Sequence, residues 1–588
     1  MILTDEQRSS VNCEENSFLQ ACPGSGKTRA IVAKVLACLR EIRGTTRQLA
    51  CITYTNAAVD EISERVKTYC LSDDDDHLEI NTIHSFCLNA ILRHFYWKIP
   101  ELKNGFEIAT PDSDTYQTIV AQTVHDHDLG HQAIERFAQI SRDVDGSPIF
   151  EWGLTDDAVT DFWKRLEVAG HVDFPSILYH SYKLLQDYPT LSYSLACKYR
   201  WILIDEFQDT TSVQIELFKL IAAHGQSKFY LVGDPQQSIF GFAGAKPELM
   251  AEFAKVVHAK TDFALTKNFR CSTNIIVNAE NLIPRTPAMV AAGQHANDVH
   301  QPAFLNLEFK TAILNQFIPA LFENGISFGK AAILASTWPP LYYLARSLRK
   351  EGIPVVGPGA RPYKSTRTYA RLLEHACAYV ANPVPERIRG LEKEVFRVIL
   401  NITGSANYEV YSFNGKKALV TIMRKLDALS KNYEGAMKWI ETSATVINKV
   451  LVDFGLLLPS CSTALVQSST EMISDIQKNR VDLTSASLED LGVYACPDKN
   501  IKLMTIHGSK GREFDAVAII DLHETRIPHS SCKNDPAKLD ASKRLLYVAI
   551  TRAKRLLFYV ADPNNQNAPS RFLKSVRPTT LSVITKRS

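Results

Sequence analysis

Short, unbroken apolar runs recur along the chain, each followed by a turn or a helix-compatible stretch. Phe18 and Leu19 lead through a glycine-rich turn into an apolar helix that begins near Lys27. Leu49 to Ile52 form a second run, Trp201 to Ile204 a third, and KFYLVG from residue 228 a fourth. Runs of this kind, apolar on both faces, are expected of buried parallel strands. Residues 329–359 read as strand, helix, strand, with Ile333 and Leu334 in the first strand and Arg346 facing solvent in preference to a bound ligand. ILRHFYWK (91–98), SILYHSYKLLQDY (176–188) and KKALVTIMRKLDALSKN (416–432) read as helices, the last with a basic face. The fold class expected is α/β with parallel sheets.

The turn after Phe18 and Leu19 carries candidate chemistry. In ACPGSGKT, Gly24 and Gly26 let backbone N–H groups face a phosphate with no Cβ in the way, flanking Ser25. The helix start adds partial positive charge. Lys27 is placed for the β- and γ-phosphates of a nucleotide and the Thr28 hydroxyl for Mg²⁺. Ala21 stands where glycine is usual, and with either allowed about 0.05 chance matches are expected in a chain of this length. Asp205 and Glu206 emerge from the C-terminal end of Trp201–Ile204, where α/β sheets place their ligands. An acidic pair at a strand end is by itself a solvated cap. Beside a P-loop, Asp205 reads as the Mg²⁺ partner and Glu206 as the group that orients and deprotonates water. Gln237 follows the next strand and is placed to sense a γ-phosphate. Phe240 and Phe242, two apart, would share a face on an extended segment and could stack bases.

These strings, in order, resemble the UvrD, Rep and PcrA group of superfamily-one DNA helicases, from Gln7 to about Phe572. Gln7 in LTDEQ resembles that group's adenine-reading glutamine. ITYTNAAVDEI (52–62) and NTIHSF (81–86) resemble its first two DNA-contact motifs, and LTKNFRC (265–271) its arginine motif. IKLMTIHGSKGREFDAVAIIDL (501–522) and KRLLYVAITRAK (543–554) resemble its fifth and sixth motifs. The resemblance implies that Phe269 stacks on adenine, that Arg29 lies near the adenosine and that Glu513 accepts from the ribose. It also implies that Arg270 and Arg552 converge on the γ-phosphate, with Arg552 coming from the second lobe. Tyr54, Thr55, Asn56, His84, Phe240, Phe242 and His507 become the DNA-contact candidates, and Lys510 joins His507 in the motif that links DNA to ATP.

The implied layout is two RecA-like lobes, each interrupted by a mainly helical insertion. Residues 1–95 and 197–275 form the first lobe, with 96–196 as its insertion. Residues 276–375 and 497–588 form the second lobe, with 376–496 as a reduced insertion. The chain departs from the family pattern at four positions: Ala243 stands where the third motif usually has arginine, Ala57 replaces a usual lysine, and Phe240 and Phe269 stand where tyrosines are common. Each change trims a polar or cationic contact, and none touches Lys27, Thr28, Asp205, Glu206, Arg270 or Arg552. About 15 residues follow PSRFL (569–573), so no fused nuclease is expected.

Composition narrows the reading further. Of 588 residues 45% are hydrophobic and 22% charged, which excludes a largely disordered chain. The net charge of +2 leaves nucleic-acid binding to local patches. No apolar stretch approaches a membrane span, no secretory start is visible, and twelve cysteines stand singly with no CxxC pair. A reduced, cytoplasmic protein is expected. SDDDDH (72–77) reads as a solvated loop. The leading function is an ATP- and Mg²⁺-dependent motor moving 3′-to-5′ on single-stranded DNA, with a 3′-tailed duplex as substrate, in repair or antiphage defence. The alternative is an ATP-gated DNA sensor that activates a partner nuclease. The Gabija antiphage system pairs such a UvrD-like protein with an ATPase–TOPRIM nuclease, and the short chain resembles a member. An RNA helicase is a third reading.

Overall fold

A computed structural model describes residues 1–580 except 70–75, 112, 151–152, 358, 404–410, 480, 485 and 533–534. Of the acidic run 72–77, only Asp76 and His77 lie within the described residues. The chain forms two compact units, each built on its own sheet.

The first unit comprises Met1–His300, Pro528–Arg555 and Phe572–Arg577. The strands of its main sheet are β1 (Ser17–Ala21), β2 (Gln48–Thr53), β3 (Leu78–Thr82), β4 (Tyr199–Ile204), β5 (Lys228–Gly233) and β6 (Lys260–Leu265). They lie in the order β6-β1-β5-β4-β2-β3, and all these pairings are parallel. Successive residues of β4 and β5 point to opposite sides. Trp201, Leu203, Tyr230 and Val232 therefore enter one core with the helix α2 (Lys27–Ile42). Ile202, Ile204, Phe229 and Leu231 enter the other with Phe218 and Phe253. Both faces are covered, which is why the strands read as continuous apolar runs.

The remaining helices that position the first site are α1 (Asp5–Val11), α3 (Asn56–Lys67), α4 (Phe174–Asp187) and α5 (Thr273–Leu282). An inserted helical layer between β3 and β4 has its own core around Phe137, Phe162 and Trp163. Residues 276–300 and the helix Pro536–Ile550, which the motif spacing placed with the second lobe, pack in the first unit. They are tied there by Arg285, Tyr547 and the Arg555–Asp298 ion pair at 3.0 Å.

The second unit carries β7 (Ala303–Asn306), β8 (Ala331–Ala335), β9 (Val355–Val356), β10 (Ile501–Thr505), β11 (Phe514–Ile519), β12 (Ala553–Ala561, of which Leu556 onward falls in this unit) and β13 (Thr579–Thr580). Their order is β9-β10-β8-β11-β12-β7-β13, and β8 runs parallel to both β10 and β11. The helix α6 (Trp338–Lys350) follows β8. A helical insertion then contributes α7 (Ala370–Ala381), α8 (Pro385–Thr403), α9 (Phe413–Ser430), α10 (Ala436–Asp453) and α11 (Ala464–Lys478). These pack on a core that includes Tyr369, Ile399, Trp439 and Ile447. Arg361 holds Glu374 through two hydrogen bonds of 2.6 and 3.0 Å, and Arg367 holds Asp475 at 2.9 and 3.1 Å. The protein is thus α/β, with two RecA-like lobes, each carrying a mainly helical insertion.

Candidate active site

The site is built at the C-terminal edge of the first sheet, where β1, β4 and β5 end. Gly24 and Gly26 adopt φ of +66° and +80°, which side chains disfavour. Gly24 has a second reason to lack a side chain. A Cβ there would stand 2.5 Å from the Cβ of Arg270, and its own carbonyl accepts from Phe269 N at 2.9 Å. The arginine loop therefore lies directly on the P-loop. Ser25 braces the turn by donating from its hydroxyl to Cys22 O at 2.7 Å. Gln7, in the capping box of α1, is fully buried and donates its amide to Ser25 O at 3.0 Å. It meets the P-loop backbone itself, so any contact with a base would be made from that anchored position. Thr28 occupies the first turn of α2 beside an exposed Arg29. Phe269 is 38% exposed.

Lys27 Nζ lies 3.3 Å from Glu206 Oε1. Burial works against the ammonium, but Glu206, Asp205 and Asp234 outweigh it and hold the lysine above its ordinary range. Glu206 takes a left-handed backbone, φ +50°, at the end of β4. One of its carboxylate oxygens accepts from the Gln208 amide. Asp205 is buried, and burial followed by the Glu206 charge raises its proton affinity. A divalent cation would relieve that pairing of acids. The Asp205 carboxylate and Thr28 hydroxyl are hard oxygen donors of the kind Mg²⁺ takes, so these residues fit the metal.

A buried polar chain completes the site. Arg552 is 1% exposed and donates to Gln237 Oε1 at 2.9 Å. Gln237 Nε2 donates to Asp234 Oδ2 at 2.7 Å. Arg285 donates to Asp234 Oδ1 at 2.8 Å and also to Tyr547 Oη and to Ala21 O, at the end of β1. Arg270 donates to Thr551 O at 3.1 Å. Arg552, expected from the second lobe, is held here by residues of the first unit. The sequence assigns no role to Asp234, Arg285, Tyr547 or Asn268, although Asn268 and Tyr547 lie within the arginine and sixth motifs. Asn268 Oδ1 accepts from Arg270 N and Cys271 N at 2.8 and 2.9 Å, an Asx-type turn that shapes the arginine loop. Its spacing from Arg270 was the one available signal.

The aromatic candidates of the first unit also come together. Tyr54 stacks on Phe240 with ring centroids 5.0 Å apart, and Phe240 meets Phe242 at 5.9 Å. The two phenylalanines are neighbours because Gly241–Ala243 form a tight 3-10 turn, and not because the segment is extended. Ala243 N donates to Phe240 O at 2.9 Å, which closes that turn. Thr55 caps α3, accepting from Ala58 N at 3.2 Å, and Asn56 opens the helix; both are exposed. His84 packs edge-on against Phe174, and burial pulls its imidazole down to about 4. Tyr54, His84, Phe174, Arg142 and Ala243 line a cavity of about 170 Å³. In the second unit, His507 stands in the turn after β10, with Lys510 at its end, and Glu513 immediately precedes β11.

A P-loop, an acidic pair at the end of β4, and Arg270 and Arg552 in loops that pack behind it are the parts of an ATP-hydrolysing enzyme. Residues 3–258 match the UvrD/REP helicase N-terminal domain and residues 419–562 the UvrD-like helicase C-terminal domain. The chain is 23% identical to ATP-dependent DNA helicase PcrA of Staphylococcus aureus, over 98% of this chain and 86% of the relative. It is 24% identical to DNA helicase II of Haemophilus influenzae, over 94% and 83%. Identity to ATP-dependent DNA helicase UvrD1 of Mycobacterium leprae is 23%, over 98% and 85%. The chain belongs to the UvrD-like helicase family.

Proposed function

We propose that this chain is an ATP-dependent DNA helicase that uses Mg²⁺ and moves 3′-to-5′ on single-stranded DNA. The observation that carries the reading is the buried chain Arg552–Gln237–Asp234–Arg285 behind the P-loop. On this reading the chain orients the Arg552 guanidinium for the charge that phosphoryl transfer develops. Lys27 and Arg270 bind and neutralise the phosphates, Glu206 takes the proton of the attacking water, and Asp205 with Thr28 holds the metal. Tyr54, Phe240, Phe242, His84 and the start of α3 receive the strand, through ring faces and phosphate contacts with little sequence preference. The working parts of this motor are the two lobes and their helical insertions, with residues 276–300 and the helix Pro536–Ile550 grouped with the first lobe, and its setting is the reduced cytoplasm, in DNA repair or antiphage defence. No described helix is long and apolar enough to cross a membrane.

Strand separation tests this reading. Duplexes with a 3′ tail should be unwound when ATP and Mg²⁺ are present, and duplexes with a 5′ tail should not. Equal unwinding of both, or unwinding of the 5′-tailed duplex alone, overturns the assigned direction.

A second reading is favoured by Ala243, which leaves the third motif without its usual cation beside the Tyr54–Phe240 stack. On that reading the chain is an ATP-gated DNA sensor that activates a nuclease of the ATPase–TOPRIM type. DNA-stimulated hydrolysis with no strand separation on either substrate would select it.

A further inference from the structure

The helix α6 turns three large aromatic side chains to solvent: Trp338 at 50%, Tyr342 at 46% and Tyr343 at 74% exposure. Trp338, Tyr342 and Arg346 follow at intervals of four, so they form one line along the helix, and Tyr343 flanks it. The opposite face, Leu341, Leu344, Ala345 and Leu348, is buried in the core of the second unit and fixes the helix. Folding therefore does not account for the exposed rings. A Cβ at Gly359 would stand 2.6 Å from Tyr342 Cδ1, so the Gly359 turn, at φ +72°, leaves that ring its place.

Charge and position identify what the rings suit. The helix contains Arg346, Arg349 and Lys350 and no acidic residue. Exposed rings interleaved with cations suit a single-stranded nucleic acid, whose bases stack and whose phosphates pair. The start of the helix is not a phosphate cradle, because Pro339 and Pro340 lack the N–H groups that such a site uses. The location agrees. Ala335, which ends β8, pairs with Thr505, which ends β10, and Ile506 N donates to Ala335 O at 2.9 Å. Trp338 and His507 thus leave neighbouring parallel strands at the same edge of one sheet.

We infer that Trp338, Tyr342 and Tyr343, with Arg346, form a base-stacking surface for single-stranded DNA on the second unit. It lies beside the His507 turn and outside the helicase motifs. This inference rests on the DNA reading above and adds a contact surface to it.

The test measures equilibrium binding of a fluorescent oligothymidylate, and of the same backbone with abasic sites, to the full chain. Wild type is compared with Trp338→Ala, Trp338→Phe and the double variant Trp338→Ala/Tyr343→Ala. Thermal melting controls for folding, and exposed rings predict little change there. Trp338→Ala should weaken oligothymidylate binding about fivefold or more, and the double variant further. Trp338→Phe should restore most of the loss, and on abasic DNA the variants should differ little from wild type. If wild type binds the oligomer and Trp338→Ala binds equally well, the stacking surface is overturned and the DNA reading stands. Equal weakening on abasic and intact strands also overturns it. Failure of wild type to bind either strand overturns both.

Discussion

Two strand-to-helix turns, one on each sheet, share a topology and differ in chemistry. From β1 to α2 the chain passes through Cys22–Gly26, with two glycines at positive φ. From β8 to α6 it passes through Ser336 and Thr337 alone, into Trp-Pro-Pro. The first turn exposes backbone donors and buries the side chains that brace them. The second withholds donors and exposes rings. The parallel sheet supplies the same edge in both cases, and the residues of the turn decide whether that edge presents a phosphate cradle or aromatic faces.

Substitutions at the first turn should break this contrast most severely. Lys27→Ala removes the phosphate cation and leaves Glu206 beside Asp205 with no ammonium between them. ATP turnover should fall by about 10³-fold or more in a steady-state assay. Arg552→Lys keeps the charge but loses the planar fork that reaches Gln237, and turnover should fall about 10²- to 10³-fold. The chain should still fold and bind nucleotide, which single-turnover kinetics and nucleotide titration can separate.

Gly24→Ala forces a side chain into a left-handed site 2.5 Å from Arg270 Cβ. The expected cost is about 1–3 kcal/mol in stability, read by denaturant unfolding, with weaker nucleotide binding. A Gly24→Ala protein with unchanged stability would show that the arginine loop does not rest on the P-loop.

The smallest effect lies away from both turns and concerns the helical layer of the second unit. The hydrogen bonds from Arg367 hold the Asp475 carboxyl below its ordinary range. A lowered folded pKa contributes stability above the unfolded value, about 3.9, and that stability is lost as pH falls through the lowered value. Asp475→Asn should therefore melt below wild type at pH 7, and the gap should narrow as the pH falls below the unfolded value and through the lowered one.

What was legible in the sequence was local. Gly24, Gly26, Lys27 and Thr28 lie in one short string, and Asp205–Glu206 ends an apolar run, so spacing alone carried their roles. The buried chain was not legible, because nothing in spacing joins Asp234 to Arg285 or either of them to Tyr547. Those partners meet only when residues 276–300 and the helix Pro536–Ile550 fold onto the first unit. Phe240 and Phe242 do meet, but through the 3-10 turn at Gly241–Ala243 and not through an extended period of two. The helix α6 was legible as a helix. Its exposed aromatic line was present at positions 338, 342 and 346, but a pattern of apolar residues does not say which of them the core leaves uncovered.

The most direct test of the central claim is ATP turnover by the purified full chain, titrated with a single-stranded oligonucleotide, with Lys27→Ala alongside. The account predicts turnover well above the variant and a further rise as the oligonucleotide saturates. Turnover no greater than that of Lys27→Ala, with and without DNA, would contradict it.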